Sequence, residues 1–361
     1  MIARHRRRLL PAIAALTLVG SAGDDPRPAR ITAAAAASGF AGEILVGEGD
    51  RIVIDRSFGL TVPRPAGAAA PDGGFAPGAA WPWASVTKQV VATLVMQQVA
   101  DGRIALDVPA GRYLPLLAGK VAGPTVRQLL QHRAGLRNPD DTPVGPNGFP
   151  AYYTARYPTL GWCLGGRKAA GGKWRYNNCD YVVLGALLQQ VTGQTVPALY
   201  AERIARPLGL HAQFVAPDDL LRLDWPGGGG VTADERPVFA RFGAAGGLAG
   251  TARDLVTFDQ ALLHGRLLPA AARAEMWRGD PGLGFEALGQ WSFDAKLKGC
   301  PTPVKIIERR GGIGRFQARN ILLPDQDMSI VIFTNRGDFD FGEVWQGKGF
   351  SYDLLSAAAC P

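Results

Sequence analysis

At 361 residues the chain can bury a full core and build two lobes around a cleft. With 47% hydrophobic and 19% charged residues it is excluded from the disordered class. The formal charge of +8 falls to +4 once residues 1–22 are set aside, since Arg4, Arg6, Arg7 and Arg8 lie there and no acid does. No basic block with interleaved aromatics remains, so nucleic acid is not an expected partner.

In chain order, Arg4 to Arg8 form a cationic region, Leu9 to Val19 an apolar stretch and Gly20-Ser21-Ala22 a small-residue cleavage site. Residues 1–22 therefore read as an export signal, and the protein is expected in the periplasm or secreted. The apolar stretch is shorter than the ~20 residues of a spanning helix, although an uncleaved anchor is the alternative. Residues 23–38, with Pro, Arg and Ala, read as a flexible leader, and residues 39–361 as the folded domain. No other segment has the length of a membrane span.

Glu43 to Val46 and Arg51 to Ile54 flank Gly47-Glu48-Gly49-Asp50, a hairpin signal. A Gly/Pro/Ala loop follows over residues 63–80. From Ser85 the pattern turns helical, with Val90, Val91, Leu94, Val95 and Val99 at three- and four-residue spacing and Gly102 as the stop. Short helices are expected over Thr125–Gln131 and Tyr181–Val191. Thr251 and Asp254 resemble a capping box that opens a helix through Leu262. Phe316–Leu323 and Met328–Phe333 flank a turn as a second hairpin, and a last helix is expected over Gly342–Ala357. Strands sit at both ends and helices in the middle. The expected fold is α+β, an antiparallel sheet flanked by helices with an inserted, mostly helical lobe. Residues 39–110 and 243–361 would form the α/β lobe and residues 111–242 the helical one.

Four cysteines fit an exported protein. None forms a CxxC pair and only three histidines follow the signal, so no zinc site is expected. Among three connectivities the preferred one joins Cys163 to Cys179 and Cys300 to Cys360; buried free thiols are the alternative.

Three short motifs could carry chemistry. In Ser85-Val86-Thr87-Lys88 the hydroxyl and amine are one helical turn apart and can share a face. A serine needs a base, and a lysine supplies one if burial and nearby cations lower its pKa. Of eight serines only this one has Lys three residues on; the plainer reading is an N-terminal serine and a solvated lysine. Tyr176-Asn177-Asn178 is the one Tyr-x-Asn of the chain, able to shuttle a proton and hold an amide, or simply to cap a helix. Arg309-Arg310-Gly311-Gly312 sets a cation before glycines on a strand, which lets backbone donors approach a ligand, or makes an exposed basic edge.

SxxK, then Tyr-x-Asn, then a cation followed by glycine on a late strand resembles the penicillin-recognising serine enzymes. The branch is that of class C β-lactamases, D-alanyl-D-alanine carboxypeptidases, D-aminopeptidases and related esterases. The resemblance runs from about Phe40 to Asn335 and includes Leu129 to Leu136, Gly246-Gly247-Leu248, Thr251 to Leu255 and Pro324 to Asn335. It implies that Ser85 is the acylated nucleophile, Lys88 its base and Tyr176 a proton carrier. Asn178 would bind the substrate amide, Arg309 a carboxylate, and the N–H groups of Ser85 and Gly312 an oxyanion, with Gly311 beside them. It implies no cofactor, and a small-molecule or peptide substrate with an amide or ester bond, β-lactams and D-amino-acid peptides among the candidates.

Arg309 departs from the Lys or His usual in the family: it keeps the charge but cannot release a proton. Arg310 replaces a small hydroxyl residue, so efficient β-lactam hydrolysis is not expected. His132 reads as structural. A carboxylic esterase of the same fold is the nearest alternative, and a decayed hydrolase that binds peptidoglycan or drugs is another. A Ser-His-Asp enzyme lacks a GxSxG elbow. Specificity should reside in loops 138–156 and 216–242, the second with the mobile-looking run Gly227–Gly230.

Overall fold

The computed structural model describes residues 25–59, 78–119, 123–146, 148–154, 159–216 and 236–361. The stretch expected to be an export signal, most of the 63–80 loop and the Gly227–Gly230 run lie outside the described residues.

The first hairpin pairs β1 (Gly42–Glu48) with β2 (Arg51–Phe58), and the bulge between Val46 and Gly47 re-registers its end. Late in the chain follow β3 (Trp291–Ala295), β4 (Val304–Ile313), β5 (Phe316–Leu323) and β6 (Met328–Thr334). They form one antiparallel sheet in the order β2-β1-β6-β5-β4-β3. Its seam is the pairing of β1 with β6, from Glu43 opposite Phe333 to Glu48 opposite Met328. Ile330 to Phe333 are all fully buried because helices cover both faces.

The period-two alternation sorts the side chains. Ile44, Ile306, Ile321 and Ile332 pack in the core shared with α1 (Arg27–Ala37) and, last in the chain, α7 (Phe350–Ala359). Leu45, Ile307, Leu322 and Val331 join the larger core of α2 (Thr87–Ala100) and the middle helices. Of these, α3 is Val126–Leu130, α4 Thr159–Leu164, α5 Asn178–Thr192 and α6 Ala252–Leu263. Thr125 with Gln128 and Thr251 with Asp254 form complete capping boxes at α3 and α6. Among the described residues no helix is long and apolar enough to cross a membrane.

Two expectations are corrected. The leader expected over residues 23–38 is not loose where it is described: 27–37 form α1, with Ile31 and Ala35 fully buried. Alanine is the best helix former, and the four-residue spacing of Ile31 and Ala35 gives one face to bury against α7. Arg27 pins its start through Asp25 and Glu48. The last helix begins at Phe350 rather than Gly342, because Gly347 and Gly349 take positive φ values of 67° and 93°. Both preferred disulfides are present, Cys163–Cys179 and Cys300–Cys360.

Glu43 sits at the seam, 3% exposed, and accepts the indole N–H of Trp81 at 2.6 Å. Burial raises its carboxyl from 4.5 to about 7, which the Trp81 bond only partly opposes. The folded pKa is the higher one, so its favourable contribution is complete below about 4.5 and lost as pH rises through about 7. Glu43→Gln keeps an acceptor for Trp81 and removes that loss. Urea unfolding should show the variant gaining on the parent between pH 5 and 8, by roughly 3 kcal/mol at most. An equal difference at both pH values would contradict this account.

Candidate active site

Strand β3 stops with Trp291 opposite Glu308, so residues 309–313 of β4 run past it. There β4 meets the 3-10 turn Ala84–Val86 that leads into α2. The turn is held by Trp83, whose amide donates to the Leu248 carbonyl and whose indole donates to the Gly250 carbonyl. Ala84 takes φ 46°, a left-handed value that costs a non-glycine residue roughly 1 kcal/mol and turns the chain sharply before Ser85.

Lys88, in the first turn of α2, is fully buried. Its Nζ lies 3.0 Å from Ser85 Oγ, 2.7 Å from Asn178 Oδ1 and 2.5 Å from the Ala245 carbonyl oxygen. A neutral amine offers two hydrogens and one lone pair. Asn178 Oδ1 and the carbonyl can only accept, whereas the Ser85 hydroxyl can donate, so the partner set suits the neutral base. Burial, and next the charge of Arg309, push the Lys88 amine well below its usual 10.5. Asn177 caps α5 by accepting the Cys179 amide N–H, which sets Tyr176 and Asn178 on either side of it. The Tyr176 hydroxyl is 2.5 Å from Ser85 Oγ and donates to Asn178 Oδ1 at 3.2 Å. Burial raises its phenol above 10, with Arg309 pulling the other way.

The third motif behaves differently from the expectation that Arg309 meets a substrate carboxylate. Arg309 is 1% exposed and donates from Nε to the Ser85 carbonyl at 3.1 Å. Its guanidinium lies 5.4 Å from the Tyr176 ring centre, 5.3 Å from that of Trp291 and 3.9 Å from the buried Glu286 carboxyl. The inward pleat and the long stem carry its charge beneath Tyr176 and away from solvent. Gly311, buried on the same face, does not line the cleft: a Cβ there would lie 2.5 Å from the Trp83 carbonyl oxygen. Its bare backbone lets β4 touch the Ser85 turn. Gly312 instead lines the cleft, with open space where a Cβ would stand. Arg310 points to the opposite face, where Glu308 and Glu343 bind it and Trp291 and Trp345 flank it.

The cleft encloses about 560 Å³, with Ser85, Tyr176, Asn178 and Gly312 on its lining. Phe149, Tyr153 and Phe242 line its apolar side, the last two stacked at 4.0 Å. Its charged lining residues are Asp140 and Arg315, both exposed. Asn178 Nδ2 donates to the Tyr153 hydroxyl, so the amide expected to hold substrate also braces Lys88. His132 is buried beside the Tyr176 ring and faces Asp180, in keeping with a structural residue. Among the described residues no cluster of His, Cys, Asp and Glu converges on a metal position.

Sequence reasoning did not find Asp140, Tyr153, Ala245, Glu286 or Arg315. Ala245 acts through a carbonyl, which no residue type signals; its one pointer was the adjacent Gly246-Gly247-Leu248. Asp140 and Tyr153 lie in the loop marked for specificity.

Residues 29–347 match the Beta-lactamase family, and the chain belongs to it. It is 30% identical over 141 residues to a D-aminopeptidase of Cereibacter sphaeroides, covering 38% of this chain and 27% of that protein. It is 30% identical over 232 residues to Penicillin-binding protein 4 of Amycolatopsis lactamdurans, covering 58% of each. Less than two thirds of either relative is spanned. The fold is that of a D-stereospecific amidohydrolase from Streptomyces sp., with TM-score 0.67 and 24% identity over 92% of this chain and 98% of that one.

The approach at Gly311 is directly testable. Gly311→Ala should cost 1–3 kcal/mol or more in urea unfolding, since backbone must move to admit the methyl. Gly312→Ala, with open space at its Cβ, should leave stability nearly unchanged. Equal effects at the two positions would contradict the close approach.

Proposed function

We propose that this protein is a serine hydrolase that cleaves amide or ester bonds through an acyl-enzyme on Ser85. The observation that carries the reading is the buried Lys88 amine set between two acceptors and the Ser85 hydroxyl. As Ser85 Oγ bonds to the substrate carbonyl carbon, its proton passes to Lys88 Nζ. The carbonyl oxygen takes the negative charge and is met by the N–H groups of Ser85 and Gly312. The bond to the leaving group then breaks, and that group takes a proton from the Tyr176 hydroxyl, which Lys88 replenishes. Water, deprotonated by the same pair, releases the acid and frees Ser85.

Asp140 on the cleft lining supports a substrate whose acyl part bears an ammonium group, in line with the D-aminopeptidase relative. The withdrawal of Arg309 from the cleft favours the esterase reading over carboxylate-ended cell-wall peptides, and Arg315 is the remaining cation for an anionic end. Export to the periplasm or medium belongs to the same proposal; the pattern of residues 1–22 and the two disulfides support it.

A fluorescent penicillin, a p-nitrophenyl ester and D-amino-acid amides would be offered to the parent and to Ser85→Ala. Covalent labelling or turnover should vanish in the variant; activity that survives it would defeat the mechanism. Asp140→Asn should raise KM about tenfold for free-amine substrates and leave their N-acetylated forms unchanged; equal effects on both would remove Asp140 from recognition. The acid limb of kcat/KM reports the loss of the neutral Lys88 amine. Arg309 lowers that pKa, so Arg309→Gln should move the limb to higher pH and Arg309→Lys should restore it. An unmoved limb would mean that the Arg309 charge does not act on the base.

A further inference from the structure

Behind the turn that carries Tyr176 lies a second cavity of about 380 Å³, none of whose lining residues lines the Ser85 cleft. One wall comes from the segment bracketed by the Cys163–Cys179 disulfide, the other from residues 132–138. Three backbone bonds join the walls: Lys168 to the Gly135 carbonyl, Gly171 to that of Arg133, and Arg175 to that of His132. At Gly135, with φ 72°, a Cβ would lie 2.7 Å from the carbonyl oxygens of Lys168 and Ala169, so the approach is as tight as the backbone allows.

The lining includes Arg133, Arg137, Lys168, Lys173 and Arg175 against Asp141 and Asp180. Asp141 is taken by Arg175. Arg133 donates to the Gly171 and Gly172 carbonyls, and Arg137 lies 4.0 Å from the centre of the Trp162 ring. Among the described residues Arg133, Arg137, Lys168 and Lys173 form no ion pair. His132 and Asp180, 2% and 1% exposed, belong to the lining, and His132 Nε2 and Asp180 Oδ1 are buried without a hydrogen-bond partner. Four cations without an ion pair around a half-open cavity make a potential that attracts multivalent anions. An indole beside them adds an apolar wall.

We propose that this cavity is a binding site for a small multivalent anion, a polycarboxylate or a phosphorylated molecule, separate from the Ser85 cleft. Closely spaced anionic oxygens are the shared chemistry that the lysines and Arg137 would read. The site adjoins the reaction centre through His132, whose ring centre is 4.7 Å from that of Tyr176, and through the ion pair Arg175–Asp141 next to Asp140. The proposal does not rest on the hydrolase reading.

Isothermal titration of the full Ser85→Ala protein with citrate and with inorganic pyrophosphate tests it, with Trp162 fluorescence as a second readout. Citrate and pyrophosphate distinguish carboxylate from phosphate preference. Saturable one-to-one binding is expected with at least one of them. It should weaken at least tenfold in Lys168→Ala/Lys173→Ala, about 1.4 kcal/mol or more. Both lysines are exposed, so the unfolding temperature should not change; Arg137→Ala gives a second reading should the double variant fold poorly. No binding at millimolar anion would overturn the proposal. So would binding that the variants leave untouched, or an effect that chloride reproduces at equal ionic strength.

Discussion

Burying an amine is the constraint on which the rest of this site depends. Moving an ammonium out of water costs several kcal/mol even after relaxation, so a fully buried Lys88 must be neutral, fully bonded, or both. Here three separate segments meet that demand. The Asn177 cap sets Asn178 in the first turn of α5, the 3-10 turn Gly243–Ala245 delivers a carbonyl, and the turn before α2 delivers Ser85. The same bonds that make the burial tolerable leave the lone pair facing the one partner with a proton to give. Stability and reactivity are therefore set by one arrangement.

The charge that completes this arrangement is Arg309. In the cleft it would read substrate; beneath Tyr176 it acts on neighbouring groups instead. It depresses the Lys88 amine, offsets the burial of the Tyr176 phenol and fastens β4 to the Ser85 carbonyl. A fully buried carboxyl, Glu286, lies 3.9 Å away, and desolvation raises it to about 8 with Arg309 opposing that rise, so near neutral pH it is mostly protonated and leaves the Arg309 charge largely unbalanced. An arginine suits such a place because its planar, weakly hydrated cation tolerates burial between aromatic rings and never loses its proton. The substitution that looked like a defect in a substrate-binding motif thus changes where the cation acts.

The charged residues of the cleft lining come from turns between the regular elements. Asp140 follows Pro139 in a short turn whose Asn138 side chain accepts the Asp140 amide and donates to the Tyr176 carbonyl. A charged residue of the cleft lining is thereby tied to the turn that carries Tyr176, although it comes from a stretch without periodicity. The Cys163–Cys179 disulfide closes a loop that holds both Tyr176 and the cationic wall of the second cavity. Two polar sites of different character share one covalently restrained segment.

The sequence by itself determined what local rules govern. Period-two and period-three-to-four patterns placed both hairpins and α2, α3, α5 and α6; capping residues and glycines marked several of their ends. The three-residue spacing of Ser85 and Lys88 was enough to put hydroxyl and amine together, because one helical turn is a local geometry. Helix α1 was hidden because an alanine-rich run signals burial only once α7 supplies a face. Only the tertiary structure decided the direction of Arg309, the contact that requires glycine at 311, the Ala245 carbonyl at Lys88 and the charged residues of the cleft. Each depends on where distant segments meet, and a backbone carbonyl or a buried guanidinium has no signature until that packing exists.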